Sequence, residues 1–439
     1  MTRTQSEAAP SSNAESAARI RIQRKAVAPL QQVVVTGIGV ILPNCFSRRQ
    51  LWQQLRDGQS QLHIEQDAED RFSYAVGRVA EFDFESYLSH VPRARYASCH
   101  REQLLYLCSL SQACADAGLG FADMASERVG LFDGTSRGNF AFWYDAIRTK
   151  LAHPEDRFSL RHLKQGMPGQ AVGIAAAMFH VKGPALTFNG TCASGAIAIG
   201  NAFRDLQTGR IDVAFAGGHD AALVAPLFQM YRDAGLMSLE TEDATKAVRP
   251  YAGHSKNVFG EGAVTLVLET REHAEGRGAA ILAEIMGYRH GNGGEHPTDV
   301  DFSGLRPAGL IEAALDDAEL TASGIDFVVG HGNGVQASDL SELNYMRHVF
   351  GARTSDVPLI STKPIYGHTL GAASALNVAA SVLMLHENYL IPTINIDESQ
   401  VTAGFSHQAN HGVARPLRAG LAVTYGIGGQ NAAIALCGN

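Results

Sequence analysis

The stretch GAASALNVAASVLMLHE (371–387) restricts what the rest of the chain can do. It has helical length and is apolar or small on every side, with Glu387 as its only acid and no lysine or arginine. A helix without a polar face cannot lie at a surface, so it must be covered all round. Two shorter stretches, 171–178 and 193–200, share this texture and are also expected to be buried. Helices of this kind call for a layered fold, with a central helical layer between two sheets.

The remaining elements fit that design. VVVTGIGVILP (33–43) is β-branched and closes on glycine and proline, as a buried strand should. A helical pattern spans 99–119 with Gly118 as its stop. Then follow a strand at 128–134, a polar loop, a helix at 169–180, a strand at 185–191, a helix running to about Gln207 and a strand at 212–223. The rhythm repeats after 279–291, with helices near 307–319 and 339–350, strands at 325–332 and 358–361, the long 371–387 helix, and final strands at 421–426 and 431–437. Strands alternating with helices predict an α/β fold with a parallel sheet, and the recurrence of the β-α order suggests two similar halves. The reading divides the chain into a mobile tail (1–31), an N-terminal half (32–275) and a C-terminal half (276–439).

A chain of 439 residues is long enough for two such halves, and its 18% charged residues are ordinary for a globular protein. The net charge of -8 argues against nucleic acid as a partner. No apolar run reaches the length of a membrane span, and the tail lacks the apolar core of a secretory signal. The six cysteines are scattered without a C-x-x-C pair, which predicts a reducing, cytoplasmic setting. Cys99 and His100 have no second ligand pair at metal-site spacing, so no metal is expected.

Three polar sites interrupt the buried texture: Cys192 in NGTCASG, His331 in VVGHGNGVQASDLSE, and Lys363 with His368 in STKPIYGHTLGAA. Each lies after a predicted strand or before a helix, where α/β proteins place their chemistry. A helix N-terminus at Cys192 would lower the thiol pKa and favour the nucleophilic thiolate. Two histidines supply hydrogen-bond donors or proton carriers, and a nearby lysine can fix their charge state. The glycine-rich GIGGQN (426–431) offers backbone N–H groups to a developing oxyanion. Thiol, imidazoles and oxyanion hole together make a site for acyl transfer through a thioester.

From about 32 to 437 the chain resembles the β-ketoacyl-(acyl carrier protein) synthases, the elongating ketosynthases of fatty-acid and polyketide synthesis. The resemblance runs through VVVTGIG, TCASGAIAIGNA, AGGHDAAL, FGEGAVTLVLE, the HG…D..E segment with His331, Asp339 and Glu342, STKPIYGHTLGAA, PTINID and YGIGGQNAA, in the family's order. It implies a thiolase-type fold, a five-layered α-β-α-β-α arrangement of two halves, usually dimeric. It implies that Cys192 carries the acyl chain, that His331 and His368 assist decarboxylation of the malonyl extender, and that Lys363 orients the histidines. The oxyanion hole would be the N–H groups of Cys192 and Ile427. No cofactor is implied beyond the phosphopantetheine of an acyl carrier protein, which would be the partner, alongside a second copy or a chain-length-factor-like subunit.

This chain departs from the family around the substrate. Asn333 and Val335 stand where threonines usually hold the pantetheine, and Asn377 replaces a glutamate near the lysine. Ile427 replaces the phenylalanine of the glycine loop, and Tyr231 another phenylalanine before GLMS. Thr298, with Asn333, Val335, Tyr231 and Ile427, is expected on the substrate side. The departures point to a specialised synthase of polyketide or polyene type. A housekeeping fatty-acid enzyme, or an acyltransferase or ester former using the same acyl-cysteine, stays open. A thiolase lacks its second cysteine in GIGGQN, and the initiating condensing enzymes carry Asn where His368 stands. The basic segment RFSLRHLK (157–164), with Arg161 and Lys164, is the expected docking point for an acidic carrier.

Overall fold

The computed structural model describes residues 29–66, 72–167, 169–251, 255–294 and 300–439. All but the end of the predicted tail, and Thr298, lie outside the described residues.

Among the described residues five strands of the first half enter the large sheet: β1 (Val33–Ile41), β2 (Val129–Gly134), β3 (Ala185–Phe188), β4 (Val213–Asp220) and β5 (Gly262–Thr270). Five of the second half enter it too: β6 (Ala283–Asn292), β7 (Phe327–Val329), β8 (Leu359–Ile360), β9 (Ala419–Gly426) and β10 (Gln430–Cys437). In the first half β3, β2 and β4 run parallel, and β5 and β1 add antiparallel. In the second, β8, β7 and β9 run parallel, and β10 and β6 add antiparallel. The two halves thus repeat one pairing scheme, strand for strand. The sheet is mixed rather than parallel: β5 is buried on both faces and β-branched, so its composition carries no mark of its direction.

The halves are also less separate than two independent sheets. Val33–Val35 of β1 pair antiparallel with Ala283–Ile285 of β6, so the strands form one ten-stranded order, β8-β7-β9-β10-β6-β1-β5-β4-β2-β3.

The helices that form the layers are α1 (Arg101–Asp116), α2 (Gln170–Phe179), α3 (Ser194–Gln207), α4 (Leu305–Asp317), α5 (Gln336–Phe350) and α6 (Gly371–Glu387). α3 and α6 pack on each other and on strands of both halves, forming the middle layer. Their approach needs small residues: a Cβ on Gly195 would come within 2.8 Å of the Gly371 carbonyl and 2.9 Å of the Ala375 Cβ. α1 and α2 cover the outer face of the first half, α4 and α5 that of the second, giving the five layers. α2 therefore departs from the expected central position. One face, with Ala171, Val172, Ala175, Met178 and Phe179, is buried against α1, β2 and β3, while Gly173 and Ala177 are exposed, so 171–178 is not covered all round as expected.

The predicted polar loop after β2 is largely helical, at Phe140–Ala152 and Leu160–Gln165. These helices leave Ile147, Leu151, Leu160 and Leu163 exposed, so their amphipathic signal has no matching core contact. Among the described residues no helix is long and apolar enough to cross a membrane.

Candidate active site

Cys192 lies in a single 3-10 turn (Thr191–Ala193) between the end of β3 and the start of α3. The turn admits only small neighbours. A Cβ on Gly134 would meet the Ser194 carbonyl carbon at 2.3 Å, and one on Gly426 would come 3.0 Å from the Cys192 amide nitrogen. Thr191 takes a left-handed φ of 52°, a strained value for a threonine, held by its hydroxyl donating to the Ile427 carbonyl at 3.2 Å.

His368 reaches the sulfur from the opposite half. Its Nε2 stands 3.0 Å from Cys192 Sγ, while the Leu370 amide donates to its Nδ1 at 3.1 Å. An Nδ1 that accepts leaves the proton of the neutral ring on Nε2, so Nε2–H donates to the sulfur. Leu370, like Thr191, has a positive φ, 53°. Both reacting groups are thus gripped by strained backbone two residues or fewer away.

His331 follows β7. Its amide and that of Gly332 donate to the buried Glu342 carboxylate on α5, which also accepts from the hydroxyls of Tyr345 and Tyr251 at 3.1 and 3.3 Å. The His331 ring lies 5.1 Å from that of His368, nearly perpendicular to it. Asn333 does more than replace a threonine. Its Oδ1 accepts from the Val335 amide at 3.0 Å, which turns Nδ2 toward His331 Nε2 at 3.2 Å. In this arrangement Nε2 of His331 is an acceptor, opposite in sense to Nε2 of His368.

Lys363 opens the short helix Lys363–Tyr366 and is buried, with no hydrogen-bond partner on Nζ among the described residues. Burial lowers its pKa and raises that of Glu342, and each charge partly restores the other. Both histidines are held well below their ordinary value by burial and by the Lys363 charge, so they stay neutral at pH 7. For Cys192 the expected lowering does not prevail. Burial pushes the thiol up to about 11, against the opposing charges of Lys363 and Arg137. The resting group is therefore the thiol, and the thiolate has to be stabilised as it forms.

Cys192, His331, His368, Asn333, Tyr231 and Ile427 line one cavity of about 130 Å³. Ile427 is 44% exposed and sits at its mouth, in the loop whose Gly426 touches the Cys192 backbone. Val335 is half-buried at the N-cap of α5 and is not part of the wall. Asn377 lies deeper. Its Nδ2 donates to the Gly330 carbonyl at 2.9 Å, and its Oδ1 accepts from Thr362 at 3.1 Å, tying β7 to the lysine turn. Arg161 does not stand free: its Nε donates to the Ser98 carbonyl and to Gln165, each at 3.0 Å, whereas Lys164 is exposed. Sequence reasoning passed over Arg137, whose guanidinium donates to Tyr231 Oη at 2.9 Å; a lone arginine in the turn TSRGN was the only available signal.

Comparison with known proteins agrees with this geometry. Residues 30–274 match the beta-ketoacyl synthase N-terminal domain and residues 282–397 its C-terminal domain. The polyketide beta-ketoacyl synthase 1 of Streptomyces halstedii is 31% identical over 427 residues, covering 93% of this chain and 98% of the relative. The 3-oxoacyl-[acyl-carrier-protein] synthase 2 of Synechocystis sp. is 28% identical, covering 92% and 97%. Among solved structures, the ishigamide ketosynthase/chain length factor superposes with a TM-score of 0.86 at 28% identity, over 93% of this chain and 100% of that one. A type II polyketide ketosynthase, bound to its acyl-carrier protein and the hexaketide, superposes with a TM-score of 0.84 at 26% identity, over 93% and 100%. With both domain models matched in order across a thiolase-type fold, and a thiol facing two imidazoles where those domains meet, this chain belongs to the β-ketoacyl synthase family of acyltransferases.

Proposed function

We propose that the protein elongates an acyl chain in specialised, polyketide- or polyene-type biosynthesis, taking both substrates from an acyl carrier protein. The observation that carries the chemistry is Cys192 Sγ lying 3.0 Å from His368 Nε2, with His331 beside it in the same cavity. In the first step Sγ attacks the carrier thioester. The new C–S bond forms at Cys192, the bond to the pantetheine sulfur breaks, and the proton lost from the Cys192 thiol passes to the departing pantetheine thiolate. The N–H groups of Cys192 and Ile427 receive the charge on the carbonyl oxygen in transit. In the second step the malonyl carboxylate leaves as carbon dioxide, and the enolate carbon attacks the acyl carbonyl. His368 Nε2–H donates to the developing enolate oxygen, and the Cys192 thiolate is released. Burial first, and the Lys363 charge second, keep both imidazoles neutral. No cofactor takes part apart from the carrier's phosphopantetheine.

The specialised reading rests on the substrate-facing departures at Asn333, Tyr231 and Ile427. The carrier partner is supported by the structural neighbour solved with its acyl-carrier protein. Association with a second copy or a chain-length-factor-like subunit is supported by the exposed apolar side chains at 147–163 and by the neighbour described as a ketosynthase/chain length factor.

Mass spectrometry of the intact protein, incubated with a panel of acyl carriers and then malonyl carrier, tests the reading. An acyl adduct on Cys192 followed by a two-carbon-longer β-keto product on the carrier is expected. An adduct passed to an alcohol or amine, with no carbon–carbon bond formed, would replace it with the ester-former alternative.

A further inference from the structure

The cavity around Cys192 is small for a ketosynthase substrate. Its 130 Å³ lies well below the roughly 300–1,000 Å³ of ordinary ligand pockets, and the pantetheine end must share it. A larger cleft of about 580 Å³ lies between the turn after β2, β3 and the helix Phe140–Ala152, with Arg137 and Thr187 in its wall. Tyr231 belongs to the wall of the first space, Arg137 to the wall of the second, and the hydrogen bond between them joins the two. The guanidinium also lies 5.8 Å from the centre of the Tyr231 ring. This pair is the partition.

Arg137 is an unusual partition. Its only side-chain hydrogen bond among the described residues goes to a neutral phenol, and its Nε is buried without a partner. The neighbouring carboxylate of Asp220 is already occupied, accepting from Thr135 Oγ1 and from the amides of Ser136, Arg137 and Gly371. A second buried donor on the cleft wall, Thr187 Oγ1, also has no partner among the described residues. A hydrocarbon chain laid here would cover the fork of a guanidinium and a hydroxyl and satisfy neither. A carboxylate would accept from both and supply the missing counter-charge, in the bidentate geometry that arginine favours.

Building on the acyl-cysteine reading above, we infer that the chain carried on Cys192 passes Tyr231 into the second cleft and ends there in a carboxylate held by Arg137 and Thr187. The substrate class is then the half-thioesters of dicarboxylic acids. Rotation of the Tyr231 ring, with release of its bond to Arg137, opens the passage and frees the guanidinium for the anion.

The test is a ladder of linear acyl carriers of increasing length. Each length is supplied as a methyl-terminated and a carboxyl-terminated pair, and kcat/KM for loading is read by mass spectrometry on the whole protein. At the matching length the carboxylated chain should load roughly ten- to a hundredfold better than its methyl partner, the range a charge-assisted hydrogen bond supplies. Arg137→Met should abolish that preference, and Arg137→Lys should keep its sign with a smaller ratio. Circular dichroism and thermal melting establish that the variants fold. Equal or better loading of the methyl chain at every length, or a carboxylate preference that survives Arg137→Met, overturns the inference. If no chain of either kind loads Cys192 in the parent protein, the acyl-cysteine reading itself falls.

Discussion

The two halves share one pairing scheme but furnish its strand ends differently. The turn after β3 carries Cys192, and the turn after its counterpart β8 carries Lys363 and, beyond it, His368. The turn after β2 carries Arg137, whereas the one after its counterpart β7 carries His331. One half thus contributes the thiol and an arginine, and the other contributes the two imidazoles and the lysine. A duplicated framework sets where side chains arrive, while the residue in each turn decides what they do. Neither half holds a complete site.

The largest effect should come from the sharpest difference between the halves. Cys192→Ala should abolish acyl loading, with no adduct by mass spectrometry and an unchanged circular dichroism spectrum; an adduct on Cys108 or Cys114 in the variant would move the nucleophile elsewhere. Next, His331→Ala and His368→Ala should reduce condensation by about 10²–10⁴-fold, the usual share of a positioned proton donor or acceptor, and reduce loading much less. Equal losses in both steps would erase the division of labour between the halves.

A smaller effect tests the charge that crosses the boundary. The Cys192 thiol is displaced upward, so its alkylation by iodoacetamide should rise with pH and still be climbing at 9.0, the ordinary thiol value. Lys363→Met removes a positive charge that favours the thiolate, so the variant should react several-fold more slowly at a given pH. A plateau reached near neutral pH would show that the helix end and the His368 N–H outweigh burial. The smallest effect is expected at the mouth. Ile427 is stiff at χ1 and partly exposed, and Ile427→Phe should shift the ratio of rigid to flexible acyl chains loaded by a few-fold toward the flexible ones. An unchanged ratio would place selectivity deeper, at Tyr231 and Arg137.

Much of this arrangement was legible from residues alone. Apolar runs bounded by turn residues located most strands of the large sheet, although β5 and β6 were not read as strands, and the unbroken apolar surface of 371–387 required the central layer it occupies. The meeting of Cys192, His331, Lys363 and His368 followed from motifs, because each sits at a strand end or helix start in a recurring order. What escaped depended on pairings that leave no local mark. β1 joins β6 through residues buried on both faces, so no alternation announces the junction. Arg137 and Tyr231 meet across 94 positions, and neither has a motif that points to the other. The thiol pKa was misjudged for a related reason: a helix start is visible in sequence, whereas the depth of burial that outweighs it is not.

The contact between Thr191 and Ile427 spans 236 positions of chain. During synthesis on the ribosome, Cys192 therefore emerges long before His331, His368 or the glycine loop exists to activate it. Until then it is an exposed thiol without these neighbours, and a chain cut short before residue 427 lacks the loop carbonyl that holds the Thr191 hydroxyl. The split of the site between halves thus means that the cavity around the sulfur exists only once nearly the whole chain has been made.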